Sequence, residues 1–128
     1  MRSAPFKDRS RRSAPRRRPH ASPPEISPVV QTIWDIVALI PRGQVSTYGF
    51  VARAAGLARG ARQTAYALRI LPEELHLPWH RVVGAGGRIV FPKSSRHFFE
   101  QARRLRSEGV AVRDGRVATS AIVNLAER

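Results

Sequence analysis

Apolar side chains recur at three- and four-residue spacing after position 28, which is the pattern of an amphipathic helix. The stripe consists of Val29, Val30, Ile33, Trp34, Val37 and Ile40. Pro41 and Gly43 then end the pattern. A second amphipathic helix is predicted over positions 96–108. Its apolar stripe consists of Phe98, Phe99, Ala102 and Leu105, and its basic face of Arg96, Arg103, Arg104 and Arg106.

Two shorter helices are predicted between these, at roughly 47–56 and 61–71. Ser46 or Thr47 can cap the first of them, and Gly56 lies near its end. Two short helices joined by a glycine-containing turn indicate a helix-turn-helix. Ordinary packing of two helices is the alternative, since the alanines of the second are also the best helix formers.

The remaining segments favour short β structure. Pro72 ends the second short helix, and two β-rich runs, 78–83 and 88–91, surround the glycine turn at 84–87. This pattern predicts a hairpin that would serve as a wing. Valines around Asp114 and Gly115 predict a second, terminal hairpin. The expected fold class is α+β: a small helix-turn-helix or winged-helix-like DNA-binding domain.

Composition narrows the function. The chain has 128 residues, a formal net charge of +14 and no cysteine. Its length fits one domain. The missing cysteine excludes a disulfide scaffold and any thiol nucleophile. The charge points to a polyanion, most often nucleic acid, although solubility alone is the alternative.

The charge is concentrated at the N-terminus. Residues 1–28 carry eight basic and two acidic side chains and six of the ten prolines. Such a segment buries too little apolar surface to order itself, so we predict a disordered basic tail. Nonspecific DNA affinity is its expected role, and an inert solvated tail is the alternative. The domain expected at 29–126 keeps a net charge of +8.

The spacing of serine, threonine, histidine and acidic residues identifies no catalytic site. No serine or threonine pairs recognisably with a histidine and an orienting acid. The four histidines lack metal-site spacing, and no glycine-rich phosphate loop is present. These observations favour a binding protein, and we expect no cofactor and no metal.

Four segments resemble the O6-alkylguanine-DNA alkyltransferases. They are Ile40-Pro-Arg-Gly-Gln-Val-Ser-Thr-Tyr-Gly, Ala61-Arg62, Pro78-x-His80-Arg81-Val82-Val83 and Glu108-Gly109. Their order and spacing also match: Tyr48 lies fourteen residues before Arg62, and position 79 lies seventeen after it. The resemblance covers roughly residues 29–115, and it implies the fold of the family's C-terminal DNA-binding domain.

One departure from the family changes the implied function. The enzymes place the alkyl-accepting cysteine between the proline and the histidine, where this chain has Trp79. An indole cannot replace a thiolate as nucleophile. This is the pattern of the alkyltransferase-like proteins, non-enzymatic sensors that bind O6-alkylguanine and direct it to nucleotide excision repair.

The resemblance also implies how DNA would be bound. The O6 atom lies in the base pair, so the damaged base must leave the stack. The helix at 61–71 would lie in the minor groove, and Arg62 would enter the duplex in place of the base. Tyr48 would crowd the 3′ phosphate and donate a hydrogen bond to the flipped base.

Further roles follow for the segment around position 79. Trp79 would offer an aromatic face to the lesion, worth about 1–3 kcal/mol for a stacked base. His80 would keep a hydrogen bond with Glu108 in a structural role, Arg81 would brace the pocket, and Val82 would line it.

Two departures concern the recognition helix. Leu71 replaces an asparagine of the enzymes, and Ala65-Tyr66 replaces a glycine pair. Whether Tyr66 faces DNA or packs inward is open at this stage. The candidate lesion- and DNA-binding residues are Thr47, Tyr48, Arg62, Ala65, Tyr66, Arg69, Trp79, His80, Arg81 and Val82.

The sequence therefore predicts a monomeric sensor of double-stranded DNA that contains O6-alkylguanine, with nucleotide excision repair proteins as further partners. A winged-helix regulator without lesion specificity is the first alternative. An active alkyl-transferring enzyme is the second, although it would lack its acceptor. We expect no membrane association and a location with the chromosome: cytoplasmic and nucleoid-associated in a prokaryote, nuclear in a eukaryote.

Overall fold

The first helix packs across the helix-turn-helix. The structure, a computed structural model, describes residues 27–127, so the predicted tail up to residue 26 lies outside the described part. Helix α1 spans Pro28–Val37, and the Ser27 hydroxyl caps it by accepting the Val30 amide at 3.2 Å. The predicted stripe faces inward, and the indole of Trp34 donates a hydrogen bond to the Ala67 carbonyl at 2.8 Å.

The predicted helix-turn-helix is formed by α2, Tyr48–Ala54, and α3, Ala61–Arg69. Both helices end about two residues before the predicted ends, because Ala55 and Ile70 close them with short-range hydrogen bonds. The Thr64 hydroxyl donates to the Tyr48 carbonyl at 3.0 Å and so ties α3 to the start of α2.

The predicted wing is wrong. Residues 79–81 form a 3-10 turn, and β2, Val82–Val83, pairs in parallel with β1, Ser46–Thr47. Arg88 bridges Arg116 of the terminal hairpin in antiparallel fashion. The glycine turn does reverse the chain, with the Gly84 amide donating to the Arg88 carbonyl at 2.7 Å. Its two arms pair with distant strands because their valine and isoleucine side chains are buried there.

The terminal hairpin is confirmed. Strands β3, Val112–Arg113, and β4, Arg116–Val117, pair in antiparallel fashion. The two residues between them, Asp114 and Gly115, have φ of +52° and +74°. This left-handed pair is the conformation that a two-residue type I′ turn requires.

Helix α4, Arg96–Ser107, lies between the β segments and the candidate site. The core has two parts, and the neighbouring side chains of Val82 and Val83 belong to different ones, as alternation along a strand requires. Val82 packs with α1, α2 and α3, whereas Val83 packs with α4 and the hairpin. Within residues 27–127, no helix has the length and apolar character that crossing a membrane requires.

Candidate nucleic-acid interface

The outer face of α3 presents both basic and small side chains. Its exposed residues include Arg62, Ala65, Tyr66 and Arg69, while Thr64 and Ala67 are buried on the inner face. Tyr66 is 47% exposed, and the Arg69 guanidinium lies 5.4 Å from its ring centroid. The open question about Tyr66 is therefore settled in this structure: its ring points outward beside Arg69.

Tyr48 begins α2 directly after strand β1 and is half-buried. Burial raises the pKa of its phenol above the usual value of 10, so the hydroxyl remains a hydrogen-bond donor at neutral pH. Thr47 is not placed for a DNA contact, because its buried hydroxyl accepts the Phe50 amide at 3.0 Å and caps α2. Thr47 thus positions Tyr48.

Trp79 lies in an aromatic cluster that sequence reasoning missed. The rings of His80, Phe91 and His97 meet the indole at steep angles with centroids 6.2–6.3 Å away. Phe91 and His97 also stack on each other at 5.1 Å. Because Phe91 and His97 come from a loop and from α4, no local pattern in the sequence connects them to Trp79.

One face of the indole is covered by a cation. The Arg104 guanidinium carbon lies 5.4 Å from the Trp79 ring centroid, within the range of a cation–π contact. Glu100 holds Arg104 in place, since its carboxylate accepts from Arg104 Nε at 2.6 Å. Trp79 is therefore fixed by α4 as well as by its own turn.

Beside this cluster, His80 and Arg81 share one carboxylate. Glu108 accepts from His80 Nε2 at 2.9 Å and from Arg81 Nη2 at 2.7 Å and Nε at 3.0 Å. Arg81 also donates to the Ile40 carbonyl at 2.8 Å. The expected bracing role of Arg81 and the expected contact of His80 with Glu108 are both present.

Burial keeps His80 neutral at neutral pH even though it contacts a carboxylate. The Arg81 hydrogen bond, against the cost of burial, lowers the pKa of Glu108 to about 2, so the carboxylate is ionised. Burial lowers the pKa of His80 below 6.5, and Glu108 opposes that shift only in part. An ionised Glu108 makes Nε2 the protonated nitrogen of a neutral ring. His80 Nδ1 is then a buried acceptor with no hydrogen-bond partner within residues 27–127.

Gln101 is a second group that sequence reasoning missed. Its buried amide donates to the carbonyls of His80 at 3.0 Å and Val82 at 2.9 Å. A polar residue on the apolar stripe of α4, between Phe98 and Leu105, was the available signal. The expectation that the Val82 side chain lines the pocket is wrong, because that side chain is fully buried in the core.

The two parallel strands fix the order of the candidate residues along the chain, with Tyr48 after the C-terminal end of β1 and Trp79 before the N-terminal end of β2. Thr47 lies opposite Val83, so Tyr48 and Gly84 leave β1 and β2 at the same edge. Trp79 precedes β2 by three positions and Arg62 lies on the helix bound to Tyr48. Over the described residues, no group of three acidic or histidine side chains could hold a metal ion.

Comparison with known proteins finds relatives that match most of the described residues. A DNA base-flipping protein of Escherichia coli (strain K12) is 48% identical over 82 residues, which span 64% of this chain and 62% of that protein. Alkyltransferase-like protein 1 of Schizosaccharomyces pombe is 42% identical over 80 residues, covering 62% of this chain and 74% of that protein.

A solved structure extends the similarity to three dimensions. The crystal structure of S. pombe Atl1 in complex with damaged DNA containing O6-carboxymethylguanine aligns with a TM-score of 0.68 and 33% identity. The alignment covers 77% of this chain and 97% of that one. Residues 28–110 match the family described as the 6-O-methylguanine DNA methyltransferase, DNA binding domain. The chain belongs to this family.

Proposed function

We propose that the protein is a non-enzymatic DNA damage sensor. It binds O6-alkylguanine by flipping the base from the minor groove and marks the lesion for nucleotide excision repair. The observation that carries the proposal is the cysteine-free chain with Trp79 between Pro78 and His80, the position that the resemblance to the alkyltransferases assigns to their acceptor cysteine. The relatives support it, since one is named for base flipping and another was crystallised with damaged DNA.

Base flipping uses the face built by α3 and the start of α2. Arg62 is exposed near the N-terminus of α3, so its guanidinium can enter the stack and bond to the orphaned base. Tyr48 begins the adjoining helix α2 with a protonated hydroxyl, which donates a hydrogen bond to the flipped nucleotide. The Thr64–Tyr48 hydrogen bond keeps these two groups in register.

The flipped base and its alkyl group rest near Trp79. An aromatic face gives apolar area and stacking without requiring a particular alkyl group. Arg104 covers one face of the indole, so we assign the lesion to the side that Arg104 leaves free. The Phe91 and His97 rings limit how far the indole can turn.

Binding without reaction follows from the groups at the site. The chain has no cysteine, and His80 is neutral, with its Nε2–H donating a hydrogen bond to the ionised Glu108. No thiolate is available to attack the alkyl carbon, so the carbon–oxygen bond of the lesion stays intact. The complex therefore forms reversibly and leaves the lesion for a repair pathway.

The fate of the alkyl group tests this proposal. The protein is incubated in excess with a duplex containing O6-methylguanine, and both components are weighed by mass spectrometry after separation. We expect unchanged masses and quantitative recovery of O6-methylguanine. A protein heavier by one methyl group, or guanine in place of the lesion, would show an alkyl-transferring enzyme.

Two further experiments test sequence specificity and the coupling to repair. Selection from a random pool of undamaged duplexes yields no consensus for a lesion sensor and a defined one for a winged-helix regulator. Addition of the protein to a reconstituted nucleotide excision repair reaction should raise incision at O6-methylguanine. We also propose a monomer located with chromosomal DNA, which sedimentation and microscopy measure directly.

A further inference from the structure

Three arginines from neighbouring strand segments lie side by side on the hairpin. Arg113 of β3 is opposite Arg116 of β4, and Arg116 is also opposite Arg88. All three are exposed, while the alternate positions Val112, Val117 and Ile89 are buried. Directly opposed residues share one face, so these side chains form a continuous arginine row.

No ion pair within residues 27–127 compensates the positive charge of the arginine row. Like charges directly opposite each other destabilise a sheet. The Ile89 amide donates to the Gly115 carbonyl at 2.8 Å, which makes Arg88 and Arg116 a non-hydrogen-bonded pair, the kind whose side chains lie closer together. The ion pairs found within residues 27–127 involve Glu100 and Glu108, and none reaches the row. An external anion would offset the repulsion.

Lys93 and the aromatic cluster around Trp79 border the arginine row. Arg88, Arg116 and Lys93 line one open cleft beside the hairpin. Asp114 is the one acidic residue of that lining, and it lies in the hairpin turn. Phe91 also lines the cleft, and its ring contacts Trp79. Phe91 therefore connects the cleft beside the row to the aromatic cluster around Trp79.

The row is also close to the edge that carries Tyr48. Arg116 Nη1 lies 3.3 Å from where a Cβ on Gly86 would be. Gly86 belongs to the turn that leaves β2 beside the point where Tyr48 leaves β1. The arginines thus adjoin the interface at the Tyr48 edge and come from other elements than the α3 face.

We propose that Arg88, Arg113 and Arg116 bind phosphates of one DNA strand beside the flipped nucleotide, a contact separate from the α3 contact. Three neighbouring strands span roughly 10 Å, which is the axial rise of about three nucleotides. Guanidinium groups suit phosphate oxygens through paired hydrogen bonds. This site rests on the proposed function for its location and on the arginine row for its chemistry.

Salt dependence of DNA binding tests the site. Affinity for duplexes with and without O6-methylguanine is measured against salt for Arg116→Gln and for the triple variant Arg88→Gln/Arg113→Gln/Arg116→Gln. The log–log slope should fall by about 0.9 for each phosphate that the variant no longer neutralises, equally on both duplexes. Arg103→Gln is the control for the single variant, since it removes the same charge at a position where Glu100 already pairs with the arginine on α4.

The outcomes separate this site from the proposed function. Row variants with the slope of Arg103→Gln would overturn the phosphate site, whatever the lesion preference. Equal affinity of the wild-type protein for both duplexes would overturn the lesion sensor, while a reduced slope in the row variants would still establish the site. Removal of Arg116 should also raise the melting temperature of the free protein, and a lower value would contradict the uncompensated repulsion.

Discussion

Arg81 and Glu108 form a two-point ion pair behind the proposed lesion site. Arg81 donates from Nη2 at 2.7 Å and from Nε at 3.0 Å, and the Glu108 side chain is only 6% exposed. The same carboxylate accepts from His80, so one acidic group orients both residues that follow Trp79. In this chain, the network positions the backbone around the indole.

Loss of that carboxylate should cost stability. Glu108→Gln leaves the largely buried Arg81 without its counterion, and we expect unfolding free energy to fall by about 3 kcal/mol. Denaturant titration measures the change. Glu100→Gln is the control, since its partners Arg103 and Arg104 are both exposed and exposed pairs contribute little. Equal effects of the two substitutions would show that the Glu108 network is not a stabilising feature.

Stability should decline on acidification in two stages. Burial lowers the pKa of His80 below 6.5, so the unfolded chain takes up that proton first and stability falls below pH 6.5. The pKa of Glu108 is about 2 in the folded protein against 4.5 ordinarily, so its contribution is complete above pH 4.5 and disappears as the pH falls toward 2.

Melting temperature against pH measures both stages. His80→Gln should remove the stage that begins near pH 6.5 and keep the one below pH 4.5. A melting temperature that rises between pH 7 and pH 5 would contradict the assignment of a neutral, buried His80.

Arg62 should matter for the lesion more than a basic residue of the tail. Arg62→Ala removes the group that fills the vacated stack, so affinity for a lesion duplex should fall by about tenfold or more. Arg11→Ala removes one nonspecific charge and should weaken damaged and undamaged duplexes equally. Fluorescence anisotropy with both duplexes gives the comparison, and similar losses for the two variants would refute the role of Arg62.

Trp79 should contribute through its aromatic face. Trp79→Ala removes stacking worth about 1–3 kcal/mol, roughly a 5- to 150-fold loss of affinity for the lesion duplex. Trp79→Phe keeps an aromatic ring and should retain part of the affinity. If the alanine variant binds as tightly as the wild type, the lesion does not rest against the indole.

Local patterns in the sequence predict the helices well. The α1 stripe, the Thr47 cap and the Asp114–Gly115 turn depend on residues a few positions apart, and the structure contains all three. The predicted wing is wrong because the pairing of its strands depends on residues far apart in the sequence. Parallel pairing of β2 with β1 joins residues 36 positions apart, and no local pattern specifies a strand's partner at that distance.

Part of the candidate site could likewise be predicted from the sequence, and part of it depends on tertiary packing. The resemblance to a family located Tyr48, Arg62, Trp79 and the His80–Arg81 pair by their spacing. The surroundings of Trp79 depend on Phe91, His97 and Arg104, which tertiary packing alone brings together. The resemblance implied that Val82 lines the pocket, but its side chain packs in the core with α1, α2 and α3, which tertiary packing alone determines.

The most direct measurement compares one oligonucleotide duplex with and without a single O6-methylguanine. Dissociation constants are determined for both at the same salt concentration, because phosphate contacts make each of them salt-dependent. The lesion sensor predicts clearly tighter binding of the O6-methylguanine duplex, by at least tenfold. Equal dissociation constants for the two duplexes would contradict the account.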